Sequence, residues 1–505
     1  MVQKSPKAVT APADALPPQR SALDRYFAIT KRGSTIGAEV RGGLVTFVTM
    51  AYIIALNPLI IGTVADKDGN LISGLPITGP NIGASIGMVA AATALIAAIM
   101  TILMGVYGRF PIAIAAGLGI NALLAASLVK TMTWPQAMGL VVWEGILITI
   151  LVLTGFRKAI FRAVPRSLRI AISVGIGLFI AFIGFKDAGF VRSGSGTPVT
   201  MGINGNLFGW PTLIFVIGLL LVIGLYVRKV KGALLISVIA TTILAVILEA
   251  IVKNGPYIDS NLGVHPTGWQ LNVPAITGPI WSVPDLHLLF RVDMFGAFAG
   301  GGTAFISVVL TIFALLLSDF FDTMGTIFAV GSEAGLLDKN GNPPYMQEIL
   351  VVDSLAAIAG GLGSTSSNTS YIESASGVGE GARTGLASVV TGLGFLVALL
   401  LAPLVNLVPS EAAAPVLVLV GFLMLQQVAE LDWHDLEESI PAYLTMVLMP
   451  FTYSITNGIG AGFVLYVLIK VAKGKAKQVH PLMWVIGALF FIYFAQGIIL
   501  HWMGR

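Results

Sequence analysis

The sequence contains no cysteine. Disulfides, thiol catalysis and cysteine-ligated metals are therefore excluded. Histidine is scarce: His265, His287, His434, His480 and His501 are scattered along the chain. None forms an H-x3-H or HExxH pair, which argues against zinc. Charge is also scarce. Only 11% of the 505 residues are Asp, Glu, Lys or Arg, where a soluble domain carries roughly 25%. Hydrophobic residues make up 56% of the chain, and the mean hydropathy is +0.89. Apolar runs of about 20 residues recur, each long enough to cross a bilayer as a helix. The fold class is thus an all-α polytopic membrane protein. No apolar core marks residues 1–35 as a signal peptide; they read as a disordered cytoplasmic tail. A Ser/His/Asp set, a metal cluster and a phosphate loop are missing too. "GGLGSTSSNTS" lacks the Lys-Ser/Thr of a P-loop. The reading is of a protein that is not an enzyme and needs no metal or cofactor. The net charge of +4 gives no reason to expect nucleic acid.

Fourteen spans can be drawn: 36–62, 83–107, 111–130, 135–155, 166–186, 211–228 and 232–252, then 301–331, 346–362, 371–379, 384–407, 412–429, 437–455 and 457–472. A further apolar stretch, 481–500, reads either as an extra span or as a peripheral helix. Lys and Arg concentrate in cytoplasmic loops of membrane proteins. Here they cluster in the N-terminal tail (Lys4 to Arg32), after span 4 (Arg157 to Arg169), after span 6 (Arg228, Lys229, Lys231) and after span 14 (Lys470 to Lys477). With this count all four clusters fall on one side. The expected topology is a multi-pass protein of the plasma (inner) membrane with a cytoplasmic N-terminus.

The two sets of seven share landmarks. "FVTMAYIIA" from Phe47 parallels "FDTMGTIFA" from Phe321, and "DKDGN" from Asp66 parallels "DKNGN" from Asp338. "VPRSLRIAI" from Val164 parallels "VPSEAAAPV" from Val408. Seven is odd, so the halves would have opposite orientations, the inverted-repeat plan of secondary transporters. The Asp338 turn is not a calcium loop: Pro343 and Ile349 stand where an EF-hand needs Gly and Glu.

Spans 3 and 10 are broken. Span 3, "FPIAIAAGLGINALLAASLV", carries Pro111, Gly117 and Gly119, so an extended piece should precede a short helix from about Ile120. Span 10 begins with "STSSNTS", all hydroxyl or amide side chains, which cannot form a lipid-facing helix. Interrupted spans at matching positions point to a transporter's binding site. Two half-helix N-termini there would present positive dipole ends.

Span 8 reads "LLLSDFFDTMGTIFAV". A carboxylate at the bilayer centre costs about 2.5–3.5 kcal/mol, so Asp319, Asp322 and Glu373 together would cost roughly 8–10. Asp319 and Asp322 are three apart and share a helix face, with Thr326 one turn further. Structural roles compete with functional ones. Glu373 could cap its own half-helix in Ser370-Tyr371-Ile372-Glu373. Asp319 or Asp322 could tie down the backbone of the broken spans, and Asn121 could be a capping residue. Glu144 in span 4 reads as an interfacial or packing charge. Acids without a fixed cation suit a substrate that offers N–H donors, because a carboxylate can accept two of them from a planar heterocycle. A buried acid can also carry a proton.

"TFVTMAYIIALNP", "SDFFDTMGTIFAVGSEAGLLDKNG" and "STSSNTSYIESASGVGEGARTG" resemble the adenine/guanine/hypoxanthine permeases of the nucleobase–ascorbate transporter group. The similarity runs over about residues 25–500. It implies a 7+7 inverted repeat with elevator-type alternating access and proton symport of purine bases. The implied division is a tail (1–35), a core domain (36–160 and 301–408), a gate domain (161–255 and 409–505) and an extracellular loop (256–300). It implies substrate contacts from Asp322, Glu373, Asn121, Gly119, Thr326 and Ile372. Asp319, Asp322 and Glu373 are the proton-coupling candidates. This chain has "AAGLGIN" where a Pro commonly precedes the glycine. The partners implied are a purine nucleobase, a proton and the bilayer, with a homodimer allowed by analogy. The alternatives are another nucleobase, such as uracil or xanthine, or an anion carried on the same fold.

Overall fold

The computed structural model describes residues 21–155, 163–194, 196–259, 263–275, 281–299, 302–338 and 342–502. Span 1 is two helices, Ile36–Met50 and Ile53–Ile61. Span 2 is Gly79–Leu103, prolonged by a wide π turn to Gly108. Span 3 is a strand, β1 (Ile114–Ala116), followed by the helix Leu118–Ala126. Spans 4 to 7 are Trp134–Leu153, Arg166–Asp187, Trp210–Val227 and Ala233–Val252. Spans 8 and 9 are Gly302–Glu333 and Met346–Leu362. Span 10 repeats the plan of span 3: β2 (Asn368–Ser370), then the helix Ser374–Gly379. Spans 11 to 14 are Gly385–Leu399, Ser410–Leu425, Leu436–Thr452 and Ile455–Ala472. A last helix, Pro481–Trp502, packs on spans 14 and 8. Its 22 residues give about 33 Å, enough to cross a bilayer.

The inverted repeat is visible in detail. Asp66 N–H donates to Asn70 O at 2.8 Å, and Asp338 N–H donates to Asn342 O at 2.8 Å, so the two "DK-x-GN" segments share the same closing bond. β1 and β2 pair antiparallel about Ala115 and Thr369, as two strands of opposite orientation must. Unwound backbone deep in a membrane protein needs partners inside the protein. Here it finds them. Ile114 N–H and C=O both bond the Thr101 hydroxyl at 2.9 Å. Ser388 Oγ donates to Phe110 O and Ile112 O at 2.8 Å, and Tyr371 N–H donates to Ala113 O at 2.9 Å.

Packing divides the helices into two groups. Span 4 packs on span 9, and span 11 on spans 1 and 2; span 10 also lies against span 1. Separately, span 5 packs on spans 12 and 13, and span 6 on spans 7 and 12. Close approach inside the first group depends on small residues. At the meeting of the π turn with span 11, a Cβ on either Gly105 or Gly385 would run into the other's carbonyl oxygen.

One expectation needs correction. Of the tail read as disordered, residues 1–20 lie outside the described residues, but 21–35 are folded. Ser21 caps a helix at Ala22–Phe27, and Asp24 is buried, accepting Thr30 N–H at 2.8 Å and its hydroxyl at 2.6 Å. Tyr26 donates to Val106 O at 2.9 Å under the Arg109 guanidinium, 4.4 Å from its ring centre. The Tyr26 contact with Val106 reaches across 80 residues, so a local reading of a Pro/Ala-rich tail does not show it.

Candidate functional site

The broken spans meet span 8 around one cavity. Its empty volume is about 760 Å³, mouth included. One wall is polar. It comprises Tyr52 of span 1, the Gly117–Ile120 bend of span 3, the Asp319–Thr326 face of span 8 and residues 369–373 of span 10. The opposite wall is mostly apolar: Ile172, Ile176 and Ile180 of span 5, with Val420 and Met424 of span 12. The cavity thus lies on the seam between the two packing groups. Among the described residues no Lys, Arg or His lines it.

Asp322 and Glu373 both open onto this cavity. Asp322 is exposed although it sits in the middle of span 8, and the surface it exposes is cavity wall. Glu373 is half-buried at the start of the span 10 helix, but its side chain caps nothing there. Its Oε1 instead accepts the Tyr52 hydroxyl at 2.5 Å. The capping-box alternative also fails at its other end, because Ser370 lies in β2, well before the helix begins at Ser374; its Oγ donates to Asp353 at 2.7 Å. Glu373 therefore keeps one oxygen tied by Tyr52 while its side chain lines the cavity. An ionised carboxylate held in this way accepts N–H donors and repels anions.

The remaining candidates divide. Thr326, Ile372 and Gly119 line the cavity. A Cβ on Gly119 would lie 2.7 Å from Ile176 Cγ2, so glycine here keeps spans 3 and 5 in close contact. Asp319 touches the wall but is only 1% exposed. Asn121 is fully buried and points away from the cavity: its Nδ2 donates to Asn57 Oδ1 at 2.7 Å. Asn57 in turn donates to Thr93 Oγ1 at 2.7 Å and Thr365 O at 3.1 Å. Asn121 thus fastens span 3 to spans 1 and 2 and to the entry of span 10.

Two residues of the site escaped the sequence reading. Tyr52 lies inside the quoted "TFVTMAYIIALNP" but looks like core; only its contact with Glu373, 321 residues away, reveals it. Glu144, read as a packing charge, is fully buried beside Asp319. A glutamate in the middle of an apolar span was the signal available. Among the described residues no cluster of acids or histidines has a metal-holding arrangement.

Residues 37–461 match a family described as the Permease family. The guanine/hypoxanthine permease PbuG of Bacillus subtilis (strain 168) is 37% identical over 478 residues, covering 94% of this chain and 99% of the relative. The adenine permease AdeP of Escherichia coli (strain K12) is 35% identical over 473 residues, covering 93% and 95%. Among solved structures, the transmembrane domain of the cyanobacterial bicarbonate transporter BicA superposes with a TM-score of 0.54 at 14% identity. That likeness covers 85% of this chain and 97% of the other. Murine Slc26a9, an anion transporter in the inward-facing state, gives 0.57 at 12% identity, covering 87% and 69%. At such identities these two show a shared fold and nothing more. The sequence match spans nearly the whole chain and includes both broken spans and both acidic motifs, and on it the chain belongs to this permease family.

Proposed function

We propose that the chain imports purine nucleobases by proton symport. The observation that carries the reading is the convergence of Asp322 and Glu373 on one cavity without a cation. A neutral purine offers N–H groups along its edge, and each carboxylate can accept from them. Phe321 and the isoleucines of span 5 give the flat ring apolar surfaces on the seam. The relatives named for adenine and for guanine and hypoxanthine support the substrate class. The same acids count against an anion on this fold, since Glu373 would repel it.

Transport follows from the seam. Spans 1–4 with 8–11 carry the polar wall, and spans 5–7 with 12–14 the apolar one. Movement of the first body past the second would take the site from one face of the membrane to the other, an elevator. The basic clusters support a cytoplasmic N-terminus. A proton moving down 100 mV releases about 2.3 kcal/mol, enough for roughly 40-fold accumulation of a neutral base. The test is uptake of radiolabelled adenine, hypoxanthine, guanine and uracil into proteoliposomes, with and without an inward proton gradient. Proton-stimulated accumulation of a purine is expected. Uptake of uracil alone would move the substrate class, and no uptake by folded protein would sink it.

A further inference from the structure

Behind the polar wall, away from the cavity, Asp319 meets the carboxyl of Glu144 from span 4. Both side chains are shut off from solvent, with Glu144 0% and Asp319 1% exposed. Neither Asp319 oxygen meets a hydrogen-bond donor, and neither does Glu144 Oε2. Glu144 Oε1 has only the Ser367 hydroxyl, at 3.4 Å. An ionised carboxylate can only accept. Two of them in contact, buried and without donors, would repel each other and leave their oxygens unsatisfied. One proton changes this: the protonated acid becomes a donor to its neighbour.

We propose that Glu144 and Asp319 form a carboxyl–carboxylate pair that holds one exchangeable proton behind the purine cavity. This rests on the proton-symport reading above and gives its proton a place. The titratable groups facing the pair are all acids: Asp353 from span 9, and Asp322 from the cavity side of span 8. Asp353 has a donor of its own in Ser370 Oγ at 2.7 Å, which neither acid of the pair has at such a distance. Among the described residues the cluster lacks a metal-holding arrangement, and a shared proton needs none: one carboxyl donates it and the other accepts. Asp319 is shared between pair and cavity wall and lies one helical turn from Asp322. Filling the cavity and loading the proton therefore act on the same short stretch of span 8, while purine contact stays with Asp322 and Glu373.

Glu144→Gln replaces the shared proton with a permanent amide donor. In proteoliposomes this variant should still exchange labelled purine for unlabelled purine at equal pH. An imposed proton gradient should no longer raise accumulation above the gradient-free level. Glu144→Asp, which keeps the acid, should retain coupling. Infrared spectra of the wild type without purine should contain a protonated-carboxyl C=O band that shifts in D2O and is missing in Glu144→Gln. Full proton-driven accumulation by Glu144→Gln overturns the proposal. So does loss of exchange together with accumulation in folded variant protein, because that marks Glu144 as a structural support. The infrared arm needs no variant to fold: a wild type without any protonated-carboxyl band overturns the pair by itself. Wild-type protein that takes up no purine would sink the transport reading instead, and the infrared result would still judge the pair.

Discussion

At the start of span 13, Glu437 is surrounded by cations. Lys470, Lys475 and Lys473 lie 2.9, 2.5 and 3.3 Å from its carboxylate. The neighbouring Glu438 takes Lys470 at 3.3 Å and the Ser167 hydroxyl at 2.5 Å. Around the cavity the plan is the reverse. Glu144, Asp319, Asp322, Asp353 and Glu373 gather on spans 4, 8, 9 and 10, and among the described residues no Lys, Arg or His is one of the groups set against them. A charge taken out of water is costly unless it is paired. The first group meets that cost within the protein, so its role is to join span 14 to span 13. The second group has neutral donors, such as hydroxyls, and on the function proposed above the rest is supplied by N–H donors of a substrate and by protons. Sites that depart from the stability optimum are where function resides.

The comparison can be broken at either end. Asp322→Asn or Glu373→Gln should abolish purine uptake while the melting temperature stays level or rises, since each removes an uncompensated charge. Lys470→Met should do the opposite, lowering the melting temperature and leaving purine affinity unchanged. Parallel melting curves and binding titrations would check all three. If Glu373→Gln were the unstable variant, the distinction between paired and unpaired acids would collapse.

Smaller changes sharpen it. Gly119→Ala places a methyl against Ile176 across the seam, a strain of about 1–3 kcal/mol. It should slow turnover at saturating purine, and Ile176→Val should restore part of the rate. Tyr52→Phe removes the donor that holds Glu373. A hydrogen bond to a charged group contributes about 1.5–3 kcal/mol, so KM should rise at least about tenfold, read from initial uptake rates. The smallest effect is expected at Glu380, which follows the span 10 helix and pairs with Arg41 of span 1 at 2.8 Å and with Lys231 between spans 6 and 7. The Lys231 pair joins the two packing groups, but its lysine is exposed, and ion pairs open to solvent contribute about 0–1 kcal/mol. Lys231→Gln should change turnover by no more than about fivefold.

Much of this was legible in the sequence because the signals break a strong local rule. Polar residues 364–370 and the acids of span 8 stand out against apolar surroundings, and the paired "DK-x-GN" turns mark the repeat. Residues with an ordinary local reading stayed hidden. Tyr52 passes for core until its hydroxyl is seen on Glu373. Glu144 passes for a packing charge until Asp319 is found beside it, 175 positions along the chain. Asn121 shows the converse: its place in the "GLGIN" bend suggested substrate contact, but two residues along a helix lead to its opposite side, so Gly119 meets the cavity while the Asn121 Nδ2 is taken by Asn57. Sequence spacing identifies the bend, and only the packing decides which side chains face the cavity.

The most direct measurement is calorimetric binding of adenine, hypoxanthine and guanine to the purified wild type, Asp322→Asn and Glu373→Gln, with folding verified by melting curves. The account predicts that the wild type binds at least one purine and that both variants lose it without losing stability. Undiminished purine binding by both folded variants would contradict the claim that these unpaired acids recognise the substrate.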